Sequence, residues 1–236
     1  MGAIRLLLRP VVVAAAEVPT QATGWLTPDE MARLQAITEP VRRSEFLAGH
    51  WLVRVLAGQW LGCDPQSLAL VAASFGQPRL QAARADVPLH VSLSHSGGWL
   101  AVALAPVPVG VDLELSRRPR DWQALARAFF AEEESRALDD AAPAARAAVF
   151  HRVWTLKEAY AKRDGRGLTR TRLRTVVARP APADQADAWC WPLGEGALAL
   201  AAAPGMVCQV DGAPPECGLP SGWRYQRLQA PAARDA

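Results

Sequence analysis

Val109-Gly110-Val111-Asp112-Leu113-Glu114-Leu115 alternates apolar and polar residues, and a period of two marks a strand with one buried face. Val109, Val111, Leu113 and Leu115 face a core on this reading, and Gly110, Asp112 and Glu114 share the opposite face. Two carboxylates about 7 Å apart on one strand face repel each other unless something positive lies between them. A divalent cation meets that need, since Mg²⁺ takes one or two protein carboxylates and completes its shell with water and phosphate. An edge strand with a solvated acidic face meets it equally well, and the strand alone leaves both readings open.

Upstream of this strand, Leu89–His95 and Trp99–Ala105 read as two further strands joined at Ser96-Gly97-Gly98. A helix starts at Thr27-Pro28-Asp29-Glu30, where a capping residue, a first-turn proline and two acids follow one another. Another runs from Arg43 to about Leu61 through Phe46, Leu47, Leu52, Leu56 and Trp60, and residues 66–80 read as a strand and a turn at Gly76-Gln77-Pro78. The residues before the first helix, through Val11–Ala16, read as an opening strand. Downstream, the linker Ser116–Asp121 leads to helices at Trp122–Phe130, Glu132–Leu138 and Ala144–Arg163. Short strands follow Gly165-Arg166-Gly167, through Trp191, Ala197–Ala202 and Met206–Val210. Helices followed by antiparallel strands, twice over, give an α+β fold of two similar halves. Their expected bounds are 1–108 and 109–225, with a loose tail at 226–236.

The chain has 236 residues, 50% hydrophobic and 21% charged, with nine Trp and a net charge of +3. That excludes disorder for most of its length, and no uncharged apolar run approaches the ~20 residues of a membrane span. Cys63, Cys190, Cys208 and Cys217 show no CxxC spacing, which argues against zinc and thioredoxin-like sites. Arg9 and Pro10 interrupt the apolar N-terminus and leave Val11–Ala16 too short for a signal peptide, so a cytoplasmic location with free thiols is expected. Basic clusters at Arg42–Arg43, Arg117–Arg120 and Arg163–Arg174 are too scattered for a nucleic-acid stripe. A phosphate-bearing small molecule or an acidic partner fits them better. The basic residues comprise 24 Arg and two Lys, Lys157 and Lys162.

Those two lysines lie in Phe150-His151-Arg152-Val153-Trp154-Thr155-Leu156-Lys157-Glu158-Ala159-Tyr160-Ala161-Lys162, where Trp154, Glu158 and Lys162 share one helix face. Glu158 is a candidate third carboxylate or general base, and Lys162 a candidate to hold a phosphate or protonate a leaving group. A surface Glu–Lys pair, worth about 0.3–0.5 kcal/mol, is the plainer alternative. Trp154 on the same face argues against a wholly solvated stripe. In Leu89-His90-Val91-Ser92-Leu93-Ser94-His95-Ser96-Gly97, donors cluster at a strand end within reach of an anion. No Gly-x-Ser-x-Gly elbow supports a hydrolase there.

In this order, the Gly-x-Pro turn, the Ser-His-Ser strand end, Gly-Val-Asp-Leu-Glu, Phe129-Phe130 with Glu134, and Trp154-x-x-Lys157-Glu158-x-x-x-Lys162 resemble the 4'-phosphopantetheinyl transferases, Sfp-like group. The resemblance spans about Thr27 to Leu168. It implies a two-half fold with coenzyme A in the cleft between the halves, and Mg²⁺, with Mn²⁺ as a substitute, held by Asp112, Glu114 and Glu158. It implies transfer of the phosphopantetheine arm to a serine of an apo acyl or peptidyl carrier protein, with Glu158 and Lys162 catalytic and adenosine 3',5'-bisphosphate released. Ser94, His95, Lys157 and Lys162 become coenzyme A contacts, as do Gly76, Gln77 and Pro78, where Gln77 replaces the usual Lys. Arg43 and Arg54 are the candidates on the helix after Arg43. Arg163, Arg166 and Leu168–Arg174 are the candidates for docking an acidic carrier. A monomer is expected, with neither nucleic acid nor membrane as partner. A Mg²⁺-dependent phosphodiesterase or nuclease, and a non-catalytic carrier-binding module, are the alternatives.

Overall fold

The computed structural model describes residues 3–21, 24–72, 78–81, 88–115, 121–167 and 169–228. The first half runs β1 (Ala3–Pro10), α1 (Val11–Ala16), α2 (Pro28–Ala36), α3 (Pro40–Leu61), β2 (Ala69–Ala72), β3 (Pro78–Gln81), β4 (His90–Ser96) and β5 (Trp99–Ala105). The second begins with β6 (Gly110–Glu114), α4 (Trp122–Phe129), α5 (Glu132–Asp139), α6 (Arg146–Asp164) and α7 (Arg170–Arg174). It ends with β7 (Val176–Pro180), β8 (Ala188–Leu193), β9 (Gly196–Ala201), β10 (Val207–Asp211) and β11 (Ser221–Arg227).

The same small motif is built twice. β1 lies antiparallel to β5, which forms a hairpin with β4. β6 lies antiparallel to β9, which forms a hairpin with β8. A long helix precedes each hairpin and stops at a left-handed glycine, Gly62 (φ 66°) after α3 and Gly165 (φ 65°) after α6. The full sheet orders are β10-β1-β5-β4 and β6-β9-β8-β11-β7, with β2 and β3 as a separate pair.

Alternation along the strands sets the layers. In β5, Ala101, Ala103 and Ala105 face the other sheet, where Val111, Leu113, Leu198 and Leu200 fill the gap. Leu100, Val102 and Leu104 on its other face pack on Leu52, Val53 and Leu56 of α3. In β9, Ala197, Ala199 and Ala201 meet Leu156 and Ala159 of α6, and alanine on this face lets the helix approach closely. The layers therefore run α3, sheet, sheet, α6, a mixed α+β arrangement with helices outside two largely antiparallel sheets.

The halves interlock through one exchanged strand and one side-chain seam. β10 returns to pair in parallel with β1. β4 and β6 meet through side chains: the hydroxyls of Ser92, Ser94 and Ser96 accept the backbone N–H groups of Val111, Leu113 and Leu115 at 2.9, 3.2 and 2.9 Å.

Three expectations need correction. Val11–Ala16 is helical rather than extended, because Pro10 ends the β1 ladder and the Val11 N–H turns to the Gly98 carbonyl at 2.8 Å. The short α7 and the last strand, β11, were not anticipated. β11 extends through Gln226 and Arg227, so the end of the second half lies beyond 225, and Leu228 N–H still bonds Thr175 O at 2.7 Å. Among the described residues no helix is long and apolar enough to cross a membrane, and the four cysteines are free thiols.

Candidate active site

Gly110 brings the site together. A Cβ there would lie 2.0 Å from the Ala159 carbonyl and 2.4 Å from the Arg163 nitrogen, so only hydrogen fits where α6 crosses β6. That crossing sets Glu158 and Lys162 against Asp112, two residues along the same strand face.

Asp112 is buried. Its Oδ1 accepts from Ser94 Oγ at 2.9 Å and from Lys162 Nζ at 2.8 Å. Lys162 Nζ also donates to Val111 O at 3.0 Å and reaches Leu93 O at 3.5 Å. Asp112 Oδ2 is buried and has no donor among the described residues, while the Glu158 carboxyl lies in hydrogen-bonding reach of Asp112. Two acceptors that face one another need a proton or a cation between them. Glu158 accordingly titrates at about 8: burial raises it most, the Asp112 and Glu114 charges add to that, and Lys162 opposes them.

A buried, donorless carboxylate oxygen, with a second carboxyl in reach of the same side chain, fits a divalent cation. Among the described residues no three His, Cys, Asp or Glu side chains already stand as a ligand set, so the fit rests on the Asp112–Glu158 pair, with Glu114 beside it.

Two clefts flank the cluster. One of about 670 Å³ is lined by Lys162, Arg33, Arg42, His95, Phe46 and Pro78 among others. The other, about 1490 Å³, has Glu114, Trp99, Trp122 and His151 in its wall. They meet at Glu39, Arg42, Glu45 and His95. His95 stands between Glu45 (Nδ1 to Oε2, 3.3 Å) and Arg42 (Nε2 to the guanidinium, 3.3 Å). Its pKa is lowered, first by burial and then by Arg42 and Lys162, against the opposing charges of Glu45 and Asp112.

Several expected coenzyme A contacts are placed elsewhere. Arg54 is fully buried beneath Trp25 and committed to Glu30 (2.9 and 2.6 Å) and the Leu68 carbonyl, so it reaches no cleft. Arg43 caps the end of α2 through Leu34 O and Ile37 O, and its neighbour Arg42 faces the cleft instead. Lys157 is also buried, with its ammonium on Leu173 O, Val176 O and Glu134 at 2.6, 2.7 and 2.7 Å. Burial pushes Lys157 down and Glu134 up, and the attraction between the two charges opposes both shifts. Ser94 is buried in the β4–β6 seam rather than open to a nucleotide. Arg163 lies over Tyr160 and Tyr225 and donates to Ala202 O, leaving Arg166, Arg170 and Arg174 exposed. Gly76, Gln77 and Leu168 lie outside the described residues.

Sequence reasoning missed Glu45, which helix spacing from Arg42 could have found, and the serine ladder, whose signal is serine at every second position from Ser92 to Ser96.

Residues 108–191, the span holding Asp112, Glu114, Glu158 and Lys162, match the 4'-phosphopantetheinyl transferase superfamily. The 4'-phosphopantetheinyl transferase HetI of Nostoc is 32% identical over 168 residues, 70% of this chain and 71% of that protein. The 4'-phosphopantetheinyl transferase AcpT of Salmonella typhimurium is 34% identical over 154 residues, 65% of this chain and 73% of that one. Sfp of Bacillus subtilis, likewise a 4'-phosphopantetheinyl transferase, is 25% identical over 147 residues, with 62% and 63% covered. Identity at this level across most of two curated relatives, together with a family match over the span that holds the carboxylate–lysine crossing, makes the chain a member of the 4'-phosphopantetheinyl transferase family.

Proposed function

We propose that this protein transfers the 4'-phosphopantetheine arm of coenzyme A to a serine of an apo acyl or peptidyl carrier protein. The reading is carried by the Asp112–Glu158 pair with Lys162 against it, within the span that matches the family. The serine oxygen forms a bond to the phosphorus that bears the pantetheine arm. The bond from that phosphorus to the bridging oxygen breaks, and adenosine 3',5'-bisphosphate leaves. The serine proton passes to a carboxylate oxygen of Glu158. Lys162, partly exposed at the cleft wall, trades its long bond to Leu93 O for a pyrophosphate oxygen and neutralises charge on the leaving group. Arg42 and His95, at the junction of the clefts, hold the nucleotide end. A divalent cation held by Asp112, Glu114 and Glu158, Mg²⁺ or Mn²⁺ in its place, would supply positive charge that binds the pyrophosphate and keeps the carboxylates ionised.

The remaining parts of the proposal are a cytoplasmic monomer, a division near residue 108, and an acidic carrier docked beside Arg166, Arg170 and Arg174. The repeated strand–helix–hairpin order supports that division. Intact-mass spectrometry of a panel of apo carriers with coenzyme A and Mg²⁺ tests the activity. One carrier at least should gain about 340 Da, one arm linked through its phosphate. No gain on any carrier, with no coenzyme A binding, would overturn it.

A further inference from the structure

The serines of β4 stand at alternate positions, and each does the same structural work. Ser92, Ser94 and Ser96 accept in turn from Val111, Leu113 and Leu115 N–H, replacing a backbone ladder between the strands. The middle rung does something more. Ser94 Oγ uses its own hydrogen on Asp112 Oδ1 at 2.9 Å while it accepts from Leu113 N–H at 3.2 Å. A hydroxyl has one hydrogen to give, and with the backbone amide on its lone pair that hydrogen is aimed at the carboxylate. Lys162 Nζ reaches the same oxygen at 2.8 Å. With Oδ1 held from two sides, the carboxylate plane is fixed, and the donorless Oδ2 with it, while the Glu158 carboxyl lies in reach of the same Asp112 side chain.

We infer that Ser94 is a positioning residue for the cation site, orienting Asp112 from the opposite half, and is not a contact to the nucleotide. The inference rests on the reading of Asp112 as a cation ligand. It also makes the seam between the halves part of the site: a shift of β4 against β6 would turn Asp112 as well as loosen the ladder.

The test compares rungs. Ser92→Ala, Ser94→Ala and Ser96→Ala each leave one backbone amide, of Val111, Leu113 or Leu115, without its acceptor, so all three should lower the melting temperature. Only Ser94→Ala should weaken Mn²⁺ binding, read from the free Mn²⁺ spin-resonance signal, by about 10-fold or more, as removal of a ligand's hydrogen-bond partner does. Coenzyme A affinity in EDTA should be unchanged in Ser94→Ala. A fall in EDTA would mean that Ser94 touches the nucleotide, and overturns the inference. So would equal Mn²⁺ affinity in the three variants. Should alanine at 94 unfold the chain, the isosteric pair Ser94→Thr and Ser94→Val carries the same comparison, with threonine the tighter binder of Mn²⁺. A wild-type protein that takes up no Mn²⁺ overturns the cation reading itself, and the inference with it.

Discussion

The two lysines show how alike residues diverge once packed. Each stands out in a chain of 24 Arg, yet Lys157 points inward to Glu134 while Lys162 stands at the cleft wall. Lys157→Met should therefore cost about 3–5 kcal/mol, because it leaves the Glu134 carboxylate buried and unpaired. The double change with Glu134→Gln should recover part of that in thermal melts. Lys162→Arg should leave most of the stability and lower turnover, since a planar guanidinium does not reproduce a compact ammonium between Asp112 and a phosphate. Wild-type turnover in Lys162→Arg would show the lysine to be one half of an ion pair and no more. A second buried group carries a pH signature. Burial raises Glu30, but hydrogen bonds from His50, Arg54 and Thr27 N–H, with the Arg54 charge, outweigh it and bring the carboxyl to about 2. Its folded pKa lies below the unfolded value of about 4.5, so its contribution is full above that value and fades as pH falls toward 2. Urea midpoints measured downward from pH 5 should fall in the wild type and fall less steeply in Glu30→Gln, which starts lower. Parallel slopes in the two proteins would exclude the ion pair as the cause.

At the level of elements, period-two and helical patterns were legible wherever one face is apolar. The strand from Gly110 to Glu114, the hairpin at Ser96–Trp99 and the helix bearing Trp154 appear within a few residues of where the sequence places them. Local pattern misleads where a distant partner decides. Val11–Val13 reads as strand by its β-branched residues, but Pro10 has already stopped the ladder. In β11 the alternation is confined to Trp223-Arg224-Tyr225-Gln226, too short to stand out alone, and the strand exists because β7 and β8 offer it edges. The phosphate-contact assignments of Arg43 and Arg54 failed for a related reason: helix phase identifies which residues share a face but not what that face meets. Gly110 is the sharpest element-level test. Gly110→Ala places a methyl inside the van der Waals radius of the Ala159 carbonyl and must part α6 from β6. The variant should melt well below wild type, and any folded fraction should lose coenzyme A-dependent transfer. Wild-type stability and transfer would mean that the close crossing does not set the site.

Across the whole molecule, the site draws on both halves. Asp112, Glu114, Glu158 and Lys162 come from the second, while Ser94, His95 and Arg42 come from the first, and the clefts join where they meet. Spacing along one helix and one strand was enough to name Asp112, Glu114, Glu158 and Lys162 as candidates. Their approach across the α6–β6 crossing is a tertiary fact, and so is the serine seam, neither of which any single segment encodes. On the proposed function, the Asp112–Glu158 pair serves transfer and not stability. Glu158→Gln separates the two, because the amide keeps the shape and removes one of two facing carboxylates. Followed by intact mass on an apo carrier with coenzyme A and Mg²⁺, its transfer rate should fall by about 10²-fold or more. Its melting temperature in EDTA should be no lower than that of the wild type. Transfer at the wild-type rate, or a loss that merely tracks a fall in melting temperature, would rule out a role for the pair in transfer.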